Sequence, residues 1–358
     1  MTVKKGLAIF VALSLLVSGT VLFMSVDASS VEVFKSADAG RMAVAMLLVV
    51  IVFALDALKI KALVRAAGER ITFRLSMQLT LINYFGAAVT PMQSGGGPFQ
   101  MYMMYRRGIG VGKAVAITLV RTILTMLILG FTIPFTLMFH VDLPVTGLRL
   151  KGFIFYVIAF IMVSWFLIAL SLVRPKLIKR LIGMVVMLLK RLGFLKPKLV
   201  LKIVKWVDKE IDAYNLNVRD FITRGRSYFL LGILAGIGQM WAYLSVMPCM
   251  IWAMGTPVAY APVMYVECVL IQALFLFMLY FIPTPGGSVV AEGGAAAIFS
   301  LFVPWNVAGM LGLCWRFLTE HTGIALGLIV AIRELGWNVA SDIASGSVKS
   351  VDDSEEAP

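Results

Sequence analysis

Residues Thr90 to Arg107 read TPMQSGGGPFQMYMMYRR, a proline, three consecutive glycines and a second proline set between two long apolar stretches. In water such a run would pass as a surface loop. In a bilayer every backbone group freed from a helix needs another partner, so a break survives only where protein buries it or where it lines a wet cavity. Composition favours the bilayer. The 358-residue chain is 60% hydrophobic and 14% charged, with 31 glycines and 21 methionines, the profile of packed spanning helices. The net charge is +13, yet its basic residues gather in blocks beside apolar segments. That is the positive-inside pattern with anionic-lipid contact, and nucleic acid is not an expected partner.

Basic residues orient the apolar segments, which fall near 6–26, 42–58, 75–89, 114–139, 152–173, 227–254, 262–282, 288–303 and 306–331. Lys4 and Lys5 place the N-terminus inside, and Gly6 to Val26 reads as an uncleaved first span. The 27–41 stretch, of mixed charge, is an outer loop. Lys59, Lys61, Arg65, Arg70 and Arg74 bring the chain back inside, and Arg106, Arg107 and Lys113 mark the same face again. Between these clusters 75–89 and 99–105 are too short to cross twice, so they predict a re-entrant hairpin. After the strongly basic, interfacial region 174–226 and the span 227–254, no Lys or Arg occurs until Arg316. Residues 262–303 therefore start and finish outside, broken by PTPGG (Pro283 to Gly287): a second hairpin entering from the opposite face.

The two breaks match. Thr90-Pro91-x-x-Ser94 recurs as Thr284-Pro285-x-x-Ser288, Ala114 aligns with Ala308, and Arg121 and Arg316 follow. The predicted fold is an all-α polytopic membrane protein with about six full transmembrane helices plus two re-entrant broken-helix hairpins, arranged as an inverted-topology repeat. The chain forms a single membrane domain, with halves near 42–139 and 227–332 and a disordered acidic tail over 340–358. Short, Gly/Pro-interrupted segments at corresponding positions of two halves point to a transporter's binding site.

An Arg at the centre of a membrane helix costs roughly 2.5–3.5 kcal/mol to insert, so Arg121 and Arg316 need a reason. One is internal pairing, with Glu320 four residues after Arg316 and with Glu292 or Glu267 available to Arg121. The other is a headgroup phosphate, which the guanidinium fork fits, helped by N–H groups at the half-helix starts. The substrate-binding candidates are Arg121, Arg316, Thr90, Ser94, Gly95, Gly96, Gly97, Gln100, Pro285, Gly286, Gly287, Ser288 and Glu292. Glu267, Glu292 and Glu320 are candidates for proton or ion coupling. Asn83 and Gln272 read as helix–helix hydrogen bonders, and Asp56 and Lys59 as a pair or as snorkelling side chains. Cys249, Cys268 and Cys314 are scattered and odd in number, and the histidines are only His140 and His321. No catalytic residue, metal site or cofactor is expected.

The order Asn83…Thr90-Pro91…Gly95-Gly96-Gly97-Pro98…Tyr102…Arg106-Arg107-Gly108…Lys113-Ala114…Arg121, with Pro283-x-Pro285-Gly286-Gly287…Glu292-Gly293 and Arg316, resembles the transmembrane region of lysylphosphatidylglycerol synthases (the MprF flippase part) and its stand-alone YbhN-type relatives. The resemblance runs from about 6 to 333. Gln100 stands where many relatives carry a basic residue, and Val289 where glycine is expected. The resemblance implies translocation of an anionic or aminoacylated phospholipid, or of a polyprenyl-linked lipid, across the cytoplasmic (inner) membrane. Both termini would be cytoplasmic. The implied partners are membrane lipids, a further copy of the chain or a lipid synthase.

With no Walker motif and no transferase domain beside the membrane region, the chain reads as a transporter and not an enzyme. The alternatives are an intramembrane enzyme using Glu292 or His321 on a lipid headgroup, and a non-transporting partner of a cell-envelope synthase.

Overall fold

The computed structural model describes residues 3–138 except Met92, 225–255, 262–336 except Phe281 and Pro283, and a few isolated positions between 159 and 187. Its elements are α1 (Val3–Ser25), α2 (Ala28–Lys35), α3 (Ala39–Ala66), α4 (Phe73–Ala88), α5 (Gly96–Arg106), α6 (Val111–Leu137), α7 (Arg226–Ala253), α8 (Pro262–Leu279), α9 (Ser288–Phe299), α10 (Trp305–Arg316), a π-helical segment Phe317–His321, and α11 (Thr322–Glu334). Among the described residues, four helices are long and apolar enough to cross a membrane: Lys5–Ser25, Ala39–Ala66, Val111–Thr136 and Arg226–Ala253. These coincide with four of the six expected spans. The span expected at 152–173 and the tail at 340–358 lie outside the described residues, apart from isolated positions, as does the basic region up to Gly225.

The sixth expected span, 306–331, is not one continuous α-helix, because the π segment divides it into α10 and α11. The 27–41 stretch is not wholly loop either. Asp27 and Ser30 form a reciprocal capping box that starts α2, the local signal that overrides mixed charge there.

Helices α3 and α7 form the spine and run antiparallel. Arg41, at the start of α3, stacks on Trp252 and donates to its carbonyl at 3.2 Å. Arg65, at the other end, lies over Tyr228 near the start of α7. Between them Gly232-x-x-x-Gly236 of α7 faces Leu63 and the Lys59 stem: a Cβ on either glycine would come within 3.3 Å of them. Without a side chain at Gly236, the aliphatic part of Lys59 lies against bare helix backbone. Small residues at this spacing allow close helix packing in lipid.

The quoted stretch is a helical hairpin. Thr72 caps α4, accepting from Leu75 N. The chain turns after Val89, and α5 begins at Gly96. The glycines therefore open the second helix and are not themselves the break. They are needed because the arms touch: a Cβ on Gly95 would lie 2.7 Å from the Gly86 carbonyl, and one on Gly86 2.8 Å from the Gly95 carbonyl. Gln93 supplies the turn's left-handed residue, at φ 54°.

The second hairpin, α8 and α9, turns through Gly286 and Gly287 at φ 61° and 65°. Both turns close in the same way. Ser94 Oγ donates to the Pro91 carbonyl at 2.9 Å, and Ser288 Oγ to the Pro285 carbonyl at 3.0 Å. The two tips meet at an isolated antiparallel bridge between Pro91 and Pro285. Phe10 of α1 packs against Gly286 and lies near Ala88 and Ile324, closing the tips on one side.

Candidate functional site

Among the described residues, two buried charge clusters stand out. The first joins α3, α6 and α7. The Asp56 carboxylate receives Lys59 Nζ at 2.8 Å on one oxygen and Arg121 Nη2 at 2.7 Å on the other. Lys59 Nζ also donates to Thr125 Oγ1 at 3.2 Å and to Gln239 Oε1 at 3.1 Å. Asp56 and Lys59, one turn apart on α3, thus pair inside the protein and do not snorkel. Arg121 pairs with Asp56 and not with Glu292 or Glu267. The packing of α3 against α6 decides this, and no spacing within one helix could have revealed it. The Arg121 side chain keeps 12% exposure and its buried Nε makes no hydrogen bond, so the guanidinium is not fully committed.

The second cluster is looser. Arg316 at the end of α10 lies 3.7 Å from Glu292 Oε1 of α9 and 3.9 Å from Glu320 Oε1 of the π segment. The i,i+4 pairing with Glu320 is the expected one. Tyr243 of α7 donates to Glu320 at 3.2 Å. His321 Nε2 stands 3.4 Å from Glu292 Oε1, which also accepts from Ser14 of α1 at 3.4 Å. Glu292 Oε2, Arg316 Nε and His321 Nδ1 are buried without a hydrogen-bond partner. Trp315 walls this cluster, with its ring against Tyr243, Phe275 and Phe299.

Tyr84 of α4 and Tyr280 after α8 link the clusters, since each lies within electrostatic reach of Asp56, Arg121 and Glu320. Tyr84 packs on Phe53, one turn before Asp56, with ring centroids 5.3 Å apart. Gly323, just after the π segment, lies against both rings. Such π segments inside helices recur at functional sites.

The remaining candidates divide in two. Thr90, Gly95, Gly96, Pro285, Gly286, Gly287 and Ser288 build the turns. Thr90 Oγ1 donates to the Gly86 carbonyl and accepts from Gly95 N, so that N–H is already satisfied. Ser94 is exposed at the first tip, and Gly97 faces Thr118 of α6. Gln100 donates to the Leu79 carbonyl at 2.8 Å, which ties the hairpin arms together. Gln272 of α8 donates to the Leu244 carbonyl at 2.7 Å, a tie to α7 and not between the arms of its own hairpin.

Glu267 is half-buried twelve residues before the end of α8, about 18 Å along the axis from the turn. Sequence reasoning undervalued Asp56 and Lys59 and did not weigh Tyr84, Tyr243, Tyr280, Thr125 or Gln239. The available signal was the Asp-x-x-Lys spacing within an otherwise apolar helix, which places two charges on one face.

Comparison with known proteins identifies relatives over most of the chain. The sequence pattern of the family described as "Lysylphosphatidylglycerol synthase TM region" matches residues 7–327. A UPF0104 membrane protein of Archaeoglobus fulgidus is 30% identical over 300 residues, covering 83% of this chain and 88% of that protein.

Proposed function

Because the chain belongs to the lysylphosphatidylglycerol synthase transmembrane-region family, we propose that it is a lipid transporter of the cytoplasmic membrane, moving an anionic phospholipid or lipid-linked carrier between leaflets. The two hairpins are re-entrant, entering from opposite faces and touching at their tips, with both termini cytoplasmic. The chain is an inverted repeat in which helix, broken hairpin and Arg-bearing helix occur twice. Several features support this reading. The Ser-to-Pro turn bonds are the same in both hairpins, α3 and α7 are antiparallel, and Arg121 and Arg316 lie ten and eleven residues past the starts of α6 and α10.

The observation that carries the proposal is the Pro91–Pro285 bridge, which joins the two broken hairpins in a fold that also buries Arg121 and Arg316. In this reading, the headgroup crosses along the irregular backbone with the guanidinium groups as its counter-charges. Arg121, the less committed guanidinium, takes the phosphate. Arg316, held between two carboxylates, completes the opposite wall. Acyl chains stay in lipid against outward apolar side chains such as Leu15, Leu16 and Phe23 of α1.

The test is reconstitution into vesicles with acyl-labelled phosphatidylglycerol and an outside-only quencher. The protein should make the inner-leaflet label accessible, and Arg121→Gln should slow this roughly tenfold or more, the loss expected for one charge-assisted contact. A wild-type rate equal to that of protein-free vesicles refutes transport. A folded Arg121→Gln protein at full rate refutes the phosphate role.

A further inference from the structure

Around the linked tyrosines the described residues supply three fixed cations, Lys59, Arg121 and Arg316, and three carboxylates, Asp56, Glu292 and Glu320. Apart from His321, these formal charges balance three to three. A phosphodiester headgroup adds one negative charge to a region where Glu292 is 0% exposed and Arg316 3% exposed. An unbalanced charge in such surroundings costs several kcal/mol, and the cheapest remedy available to a protein is a change of protonation. Resting on the transport reading above, we propose that the headgroup crosses together with one proton, accepted by the His321–Glu292 pair, so that the chain is an electroneutral proton–lipid cotransporter.

The geometry selects this pair among the acids present. Asp56 is the more tightly held acid, since each oxygen has a cation within 2.8 Å, although Oδ1 meets Lys59 as an ion pair and not as a hydrogen bond. Glu292 has one oxygen with no hydrogen-bond partner, and the other is shared at 3.4–3.7 Å among Ser14, His321 and Arg316. His321 is 26% exposed and Glu292 0%, so the imidazole is the more accessible member of the pair. A proton on His321 turns its contact with Glu292 into an ion pair, and a proton on Glu292 releases Arg316 toward the incoming anion.

The groups facing the pair are Arg316 of α10, Glu320 beside it in the π segment, and Ser14 and the Phe10 ring of α1. Tyr243 of α7 reaches it through Glu320, while Tyr84 and Tyr280 lead to Asp56 and Arg121. None of these brings a further fixed cation that would neutralise the headgroup instead.

The experiment uses vesicles of neutral phospholipid containing the full chain and acyl-labelled phosphatidylglycerol. A one-unit pH gradient is imposed with the membrane potential clamped, and separately a potential is imposed at equal pH. With one proton per lipid, the label should accumulate in the alkaline-facing leaflet toward a tenfold ratio. A potential of about 59 mV, which would drive an uncoupled monoanion to tenfold, should leave the leaflets even. His321→Gln should abolish accumulation under the pH gradient. Even leaflets under the gradient, or accumulation that follows the potential, overturn the proton coupling while leaving lipid transport standing. The wild-type arms decide this even if the variant does not fold. No movement of label in any arm overturns the transport reading itself.

Discussion

Replacing Asp56 by Asn isolates the energetics of the tighter cluster. The carboxylate side chain is 3% exposed and holds Lys59 at 2.8 Å and Arg121 at 2.7 Å. Asn keeps the shape but offers a single acceptor oxygen to two cations and turns an NH2 group toward the second. Breaking a buried ion pair from one side costs about 3–5 kcal/mol, because the remaining charge stays buried. Lys59→Met should cost less, about 1–3 kcal/mol, since it orphans the Gln239 oxygen but leaves Asp56 with Arg121. The double variant should then cost less than the sum by about 1–3 kcal/mol, the coupling expected of residues in direct contact. Reversible unfolding in mixed detergent micelles, followed by helical circular dichroism, measures all three. An Asp56→Asn cost below about 1 kcal/mol, or strict additivity, would refute the description of this triad as a mutually dependent unit.

Two contrasts test the packing. An alanine Cβ at Gly327 would collide with the Leu81 carbonyl where α11 crosses α4, whereas one at Gly112 meets nothing within 4 Å. Gly327→Ala should therefore lose about 1–3 kcal/mol in the same unfolding assay, while Gly112→Ala stays neutral or gains up to about 1 kcal/mol. Ser94 and Ser288 make the same bond to the proline three residues back, but Ser94 is exposed and Ser288 is fully buried. Ser288→Ala should cost about 1 kcal/mol and Ser94→Ala less than about 0.5 kcal/mol; equal costs would remove burial as the distinguishing factor.

How far the fold could be read follows from what each signal measures. Apolar length and the spacing of basic clusters marked α1, α3, α6 and α7, because a bilayer sets length and loops carry orientation. The TPxxS repeat marked both turns, because proline and a short hydroxyl side chain impose the same local closure wherever they occur. The π segment was not legible. Residues 306–331 are apolar apart from the polar patch around Arg316–Thr322, and hydropathy does not distinguish a continuous helix from one that takes in an extra residue there.

The site was legible as an inventory and illegible as pairings, and this follows from the solvent. In water a helix has one apolar stripe that points to its neighbours. In lipid a helix is apolar all round, so periodicity no longer tells which side meets protein. Arg121 was therefore identifiable as needing a partner, while Asp56 could be found only once α3 lay beside α6. The same argument explains the unequal character of the two clusters. Asp56, Lys59 and Arg121 lie on long continuous helices and are locked at 2.7–2.8 Å, an arrangement suited to holding an open face of Arg121 in place. Glu292, Arg316, Glu320 and His321 sit on a half-helix and at a π segment, at the longer separations of 3.4–3.9 Å; buried atoms without a hydrogen-bond partner occur in both clusters. In a low-dielectric interior such slack is costly unless another charge or proton fills it; under the transport function proposed above, the cycle supplies that occupant.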